Sequence, residues 1–408
     1  RHIAIIYYTI YMASRIVYIA RDIERALGKE PIGDYFIITN ESPYSLEMKK
    51  KYTENIYLIK KDEILDTYEI LILPEVEEII NKLKAEIIVF KNTIHIEQFC
   101  KEKEWILLNP SAELGEKIEN KISQISWLDE LTSLLPPHSI SIIKNVKWEN
   151  KPFILQWSHG HTGEGTILIK NENELKVFQE KFPHREARIT DFIKGPMFTI
   201  NIVVTKNQIL FGNISYQITG ILPFTENSFS TIGNDWSLPH TILSEKQIEQ
   251  FRNIAETIAK KMRKDGWIGL FGIDIVYDEK RDMLYLIEIN ARQPASTTYE
   301  SELQNIIRKN DVRGINIFEA HISSLLNLPI KESIIPINDG AQILQRVTKK
   351  IMNIDIQEII NARFKVIKYS NTKPNADLFR IQSERGIMET HNKFNKEGKK
   401  ILEIVLEP

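Results

Sequence analysis

The sequence predicts a mixed α/β fold, with a parallel Rossmann-like α/β domain first and a larger α+β portion after it. Two patterns carry that reading. Across residues 1–110, short apolar runs alternate with amphipathic stretches, as the strands and helices of a covered parallel sheet do. Beyond residue 135, strand patterns follow one another at short spacing, with helical patterns between some of them. A chain of 408 residues also exceeds one ordinary core, so two or three packed units are expected.

Each element has a local reason. The opening run HIAIIYY reads as a buried strand over 2–8, followed by a helix over 13–27. Further strands are predicted over 35–40, 55–60, 69–74, 85–90 and 105–110, with helical patterns over 74–83 and 96–103. Residues 111–135 read as helix, stopped by Pro136-Pro137. Strands follow at 139–144, 153–157 and 166–170, then a helix at 172–182 and a hairpin between Arg188 and Phe211. Ser244 with Gln247 three places on forms a capping signal for a helix to Asp265, and Gly266 is its stop. Strands over 268–277 and 284–290 flank the polar turn Asp278–Asp282, and helix returns near 315–326. The last segment reads as mostly β, with strands at 341–348, 363–369, 377–382 and 401–406.

Bulk composition excludes several functions. Net charge is −2, so no global basic field favours nucleic acid or an anionic membrane. The apolar start is interrupted by Arg15, which argues against a membrane span, and no signal-peptide cleavage pattern is visible. The single cysteine, Cys100, excludes an internal disulfide framework, reads as a small buried hydrophobe, and fits a reducing, cytoplasmic setting. No GxGxxG follows the first strand, which speaks against a dinucleotide there.

The chemistry concentrates in LIEINAR, residues 286–292. Positions two apart on a strand share a face, so Glu288, Asn290 and Arg292 point together. If the preceding strand GLFGIDIV pairs antiparallel across the 278–282 turn, Asp274 lies opposite Glu288. Two carboxylates and an amide so placed suit a hard divalent cation such as Mg²⁺. A salt-bridged carboxylate at a sheet edge is the plainer reading of Glu288 alone. The second feature is ILQWSHGHTGEGTILIK, in which a strand enters a loop with Ser158, Gly160, Thr162, Gly163 and Gly165. Such backbone can cradle phosphate oxygens, although a glycine-bearing hairpin turn reads the same way. Its spacing is not that of a P-loop.

In their order, these pieces resemble the ATP-grasp superfamily of carboxylate–amine ligases. The match runs from Asn120-Lys121 through the glycine loop and ITDFIKG (189–195) to LIEINAR. It implies a pre-ATP-grasp domain at 1–110 and a small subdomain with a phosphate flap at 111–187. A large subdomain with the metal site would span 188–330, and a C-terminal segment over 331–408 would pack on that core. The resemblance implies ATP with Mg²⁺ or Mn²⁺ as cofactors, and small carboxylate and amine substrates. It also admits a homodimer. Carried over by position, Asp274, Glu288 and Asn290 are metal ligands, and Arg292 and Lys121 are the catalytic cations, Lys121 also contacting the nucleotide phosphates. Gln156, Ser158, Gly160, Thr162, Gly163 and Gly165 lie about those phosphates. Asp191, Phe192 and Ile193 form the adenine hinge. Arg292, Ser296, Gln217, Thr219 and Gly220 fall in the substrate region.

Two departures stand out. Gln156 occupies a position where a lysine is usual, and Met197 one where a ribose-binding glutamate is usual. The activity implied is ATP-dependent amide or peptide bond formation through an acyl phosphate, with amino-acid or peptide substrates. Two other readings stand beside it: a bicarbonate-activating carboxylase-like enzyme, and a nucleotide-binding protein without catalysis.

Overall fold

The computed structural model describes residues 15–158, 165–351 and 356–406. Four sheets organise them. The first is fully parallel, in the order Ile56–Ile59, Tyr35–Asn40, Ile16–Ala20, Glu86–Val89. Its two central strands are almost entirely apolar or aromatic, as expected for a sheet covered on both faces. One apolar core lies on each face. Helix Ile94–Glu102 buries Ile96 and Cys100 against one of them.

Several predicted elements are corrected here. The strand expected at 2–8 lies outside the described residues. The helix expected over 13–27 is instead the buried strand Ile16–Ala20 and a short 3₁₀ turn, Ile23–Ala26. IVYIA is β-branched and aromatic, and every residue of it is buried, which a helix exposing one face could not achieve. The run at 69–74 is also not a strand. A helix spans Thr67–Leu71, capped by Asp66 and Glu69, and a second begins at Pro74. Residues 105–110 contribute only a single parallel bridge, Ile87 to Leu107. At the far end, 401–406 belongs to helix Lys396–Leu406, whose Gly398, Ile401 and Val405 recur at helical spacing on the buried side.

The helix expected over 111–135 is broken into Ala112–Glu119, Ser123–Leu128 and the 3₁₀ turn Asp129–Leu134. The first break falls at Asn120, whose side-chain oxygen accepts from the backbone of Ile122 and Ser123 and so competes with the helix. It places Lys121 between helices, not on one.

A small antiparallel sheet follows, in the order His138–Ile142, Glu186–Asp191, Phe153–Gln156, Thr166–Ile169. The large sheet is built around Met197–Val204, with Gly269–Asp278 and Met283–Asn290 on one side. Ser215–Thr219, Thr231–Asp235, Ala341–Arg346, Asp377–Ser383 and Lys365–Lys368 extend it on the other. The hairpin expected between Arg188 and Phe211 is formed by Met197–Val204 and Ile209–Phe211, whereas Glu186–Asp191 belongs to the small sheet. The C-terminal strands continue the large sheet, and Leu344, Ile367 and Tyr369 also join the core beneath the first sheet. Helix Glu245–Lys264, with its Ser244/Gln247 capping box, covers the opposite face of the large sheet through Phe251, Ile254, Ala255, Ile258 and Met262.

Candidate active site

The two neighbouring strands Gly269–Asp278 and Met283–Asn290 pair antiparallel, with Asp274 directly opposite Glu288 and Gly272 opposite Asn290. A bulge after Asp274 takes Ile287 out of the ladder. The register inferred from sequence is the register found.

Asp274 is buried and takes two side-chain hydrogen bonds. Gln217 Nε2 donates to its Oδ1 at 2.7 Å and Asn290 Nδ2 to its Oδ2 at 3.2 Å. Burial, and then the nearby Glu288 charge, push its carboxyl up to about 6. Glu288 keeps 35% of its side chain exposed to the cleft, and its Oε1 lies 2.7 Å from Lys121 Nζ. Burial acts to raise its carboxyl, but Lys121, Arg292 and Arg188 outweigh that and hold it below the usual range. Lys121 is buried, and its ammonium has no hydrogen-bond acceptor beyond this ion contact. Burial is the main reason its ammonium titrates lower than a free lysine. Arg292 donates from Nη2 to Asn290 Oδ1 at 2.9 Å, and its Nε lies 3.2 Å from Glu119 Oε1. Glu119 is shared: its Oε2 contacts Lys91.

The small sheet supplies the opposite wall. Gln156 and Arg188 are cross-strand partners. The buried Arg188 donates from Nε and Nη2 to Gln156 Oε1 at 2.9 and 2.6 Å, and from Nη1 to Gln124 Oε1 at 3.0 Å. Its Nη2 also reaches the carbonyl of the bulged Ile287 at 3.3 Å, tying the small sheet to the large one. Burial lowers its guanidinium to about 10, which leaves it charged at neutral pH. Gln156 spends its amide nitrogen on Thr166 Oγ1. The position that lacks a lysine thus holds an arginine from the next strand.

The remaining predicted residues divide. Gly160, Thr162 and Gly163 lie outside the described residues. Ser158 and Gly165 frame that loop: Lys121 N donates to the Ser158 carbonyl and Trp157 N to that of Gly165. Asp191, Phe192 and Ile193 are half-buried at the end of Glu186–Asp191, where Lys151 Nζ contacts Asp191 Oδ1 at 2.8 Å. Gly195 closes the hinge against the neighbouring strand, because a Cβ there would stand 1.9 Å from the Tyr277 carbonyl. Gln217 reaches the Asp274 cluster, whereas Thr219 and Gly220 lie at the strand's end, where Gly220 N bonds Ser230 O. Ser296 is drawn instead into a buried network with Asn201 and Glu300. Sequence reasoning missed Arg188 and Glu119, which contact Gln156 and Arg292, and Gln124 and Lys91, which contact Arg188 and Glu119 in turn.

The donor set fits a hard divalent cation. Asp274, Glu288 and Asn290 bring oxygens alone, and beside them the buried Gln217 Oε1 has no partner. The described residues contain no cluster of three or more His, Cys, Asp or Glu side chains, so any cation here would rest on two carboxylates and amide oxygens.

The arrangement defines a class: a parallel α/β sheet joined to an α+β unit, whose cleft faces carboxylates on a large sheet with cations on the elements opposite. Residues 118–296 match the family model described as an ATP-grasp domain, and this part of the chain is an ATP-grasp domain. Among solved structures, N5-carboxyaminoimidazole synthetase from Staphylococcus aureus complexed with ADP superposes with TM-score 0.66 at 14% identity, covering 96% of this chain and 97% of that one. N5-carboxyaminoimidazole synthase from Aspergillus clavatus, in complex with ADP and an aminoimidazole ribonucleotide, gives 0.62 at 16%, covering 96% and 98%. Biotin carboxylase from Campylobacter jejuni gives 0.61 at 13%, covering 91% and 87%. At such identities the likeness establishes the fold. No curated protein matches the chain. No described helix is long and apolar enough to cross a membrane.

Proposed function

We propose that the chain is an ATP-dependent ligase that activates a small acid as its acyl or carboxy phosphate, releases ADP, and passes the acid to an amine. One observation carries the reading: Asp274 and Glu288 face each other across two strands, with Lys121, Arg188 and Arg292 gathered around them. Paired carboxylates of this kind hold a divalent cation, and three cations about them suit a polyphosphate.

In this reading Asp274, Glu288 and Asn290 hold Mg²⁺, which when bound neutralises charge on the nucleotide's phosphate oxygens. The acid's oxygen attacks the γ-phosphorus, and the bond from that phosphorus to the β–γ bridging oxygen breaks as ADP leaves. The amine then attacks the activated carbon, phosphate leaves, and the amine gives up a proton. Lys121 exchanges its contact with Glu288 for a phosphate oxygen. Arg292, held by Asn290 and Glu119, steadies the charge on the phosphoryl group and the acid. Asp191–Ile193 hold the base.

For the acid, the names of the solved relatives, a carboxyaminoimidazole synthetase and a biotin carboxylase, favour bicarbonate. An amino-acid or peptide substrate, the first expectation from sequence, is the second reading. ADP release with MgATP decides between them. Bicarbonate plus an amine stimulates it in the first case, and an amino-acid pair without bicarbonate does so in the second. Failure of both would refute the ligase reading.

A further inference from the structure

Arg188 is 2% exposed, and among the described residues it pairs with no carboxylate. Its donors reach three different elements. Nε and Nη2 hold Gln156 Oε1 on the neighbouring strand, Nη1 holds Gln124 Oε1 on helix Ser123–Leu128, and Nη2 meets the Ile287 carbonyl at 3.3 Å. Every one of these acceptors is neutral. Two of them stand beside the cleft's ion pair. Gln124 is three residues after Lys121, and Ile287 is one residue before Glu288. Lys121 and Glu288 are themselves in contact at 2.7 Å. Gln124 is a firm anchor: it is wholly buried, its Nε2 donates to the Ile118 carbonyl at 2.8 Å, and its backbone N–H donates to Asn120. A pull on its side chain therefore acts on the turn that presents Lys121. Ile287 is the residue that the bulge takes out of the strand ladder, so Arg188 holds the backbone at the point where its course toward Glu288 is set.

Burying a charge without a counter-ion is costly, and for stability alone apolar side chains of similar volume often serve as well. What an apolar side chain lacks is the rigid planar fork, which fixes several partners at set angles. We infer that Arg188 is a positioning residue: its fork sets the separation of Lys121 and Glu288 and couples the small sheet to the strand Met283–Asn290. Gln156 completes the device. Its Nε2 donates to Thr166 Oγ1, which leaves its carbonyl oxygen turned to Arg188. The inference rests on the ligase reading only for what the Lys121–Glu288 pair then holds. The coupling itself belongs to the chain without nucleotide or metal.

The test follows backbone hydrogen exchange by mass spectrometry in the full chain without nucleotide, and ADP binding at stepped Mg²⁺ concentrations. In Arg188→Met, exchange should quicken about tenfold in peptides covering 118–128 and 283–290, while 16–20 and 35–40 in the first sheet stay within about twofold. Gln124→Met cuts one arm of the fork and should quicken 118–128 alone. Arg188→Lys keeps the charge but cannot span three partners, so it should behave as Arg188→Met does. The Mg²⁺ concentration for half-maximal tightening of ADP should rise about tenfold in both Arg188 variants. A residue with a merely structural role would lower stability and leave that concentration unchanged. Exchange that rises equally along the whole chain, or only around 186–191, would overturn the inference. So would wild-type behaviour in Arg188→Lys, because charge alone would then suffice. Should Arg188→Met fail to fold, Arg188→Lys and Gln124→Met decide the matter by the same comparison. Selective exchange at 118–128 and 283–290, in a wild type that neither binds ADP nor turns over MgATP, would refute the ligase reading and leave the coupling standing.

Discussion

Two carboxyl groups, the half-buried Glu288 and the fully buried Glu300, show what decides charge in this protein. Glu288 stands among Lys121, Arg188 and Arg292, and its carboxyl is held below the usual range. Glu300 is wholly buried, receives only the Asn201 amide at 2.6 Å and the backbone and side-chain nitrogens of Asn213 at 2.6 and 3.0 Å, and is pushed by burial up to about 7. Both have hydrogen-bonding or charged neighbours close by. The difference is that amides soften the cost of burial, whereas cations reverse it. The first environment presents a ready anion to the cleft. The second locks Ser296 and the helix Thr297–Arg308 to the large sheet through Asn201.

The contrast can be broken at either end. The largest effect is expected from Glu288→Gln, which removes a proposed metal ligand and the carboxylate that Lys121 contacts directly. ATP turnover should fall about a thousandfold or more, read as ADP release. A variant retaining full turnover would remove Glu288 from the site. Lys121→Met should come next, weakening ADP binding by about a hundredfold, measured with a fluorescent ADP analogue. Unchanged affinity would mean that Lys121 serves only as a structural partner of Glu288.

Glu300 gives a stability prediction with a definite sign. Its folded carboxyl titrates near 7 against an ordinary 4.5, so the native state holds a proton that the unfolded chain has released. Stability should therefore fall as pH rises from about 4.5 to about 7 and then level, by up to about 3 kcal/mol. Urea midpoints at intervals across that window should show the slope in the wild type and a shallower one in Glu300→Gln, the remainder coming from the other buried carboxyls raised into the window, Asp274 and Asp22. A slope undiminished by the substitution would show that Glu300 does not contribute. The smallest effect is expected from Gln156→Lys, which sets a second cation against the buried Arg188 and removes the acceptor of two of its donors. A destabilisation of about 1–2 kcal/mol in the same denaturation measurement is expected. A stabilised variant would show that Gln156 is a simple vacancy for lysine.

The strand pair at the centre was legible because its signals are local. A polar turn of a few residues joins two strands with clear alternation, so Asp274 and Glu288 could be placed opposite each other by counting. The cation wall was not legible. Arg188 meets Gln156 through the register of two strands 32 positions apart, and Lys91 meets Glu119 across 28 positions and two different elements. No periodicity reports such a contact. The misread elements share a cause: IVYIA, EILILP and the 401–406 run are short apolar stretches, in which strand and buried helix look alike without their neighbours. The long helix Glu245–Lys264 carried its own cap and a full apolar stripe, and was read correctly.

The central claim is that Asp274, Glu288 and Asn290 together hold a divalent cation that carries a nucleotide's phosphates. It is tested most directly by titrating ADP into the wild type and Asp274→Asn, each with and without Mg²⁺. The account predicts that Mg²⁺ tightens ADP binding at least about tenfold in the wild type and not at all in the variant. Equal tightening in both proteins, or none in either, would contradict it.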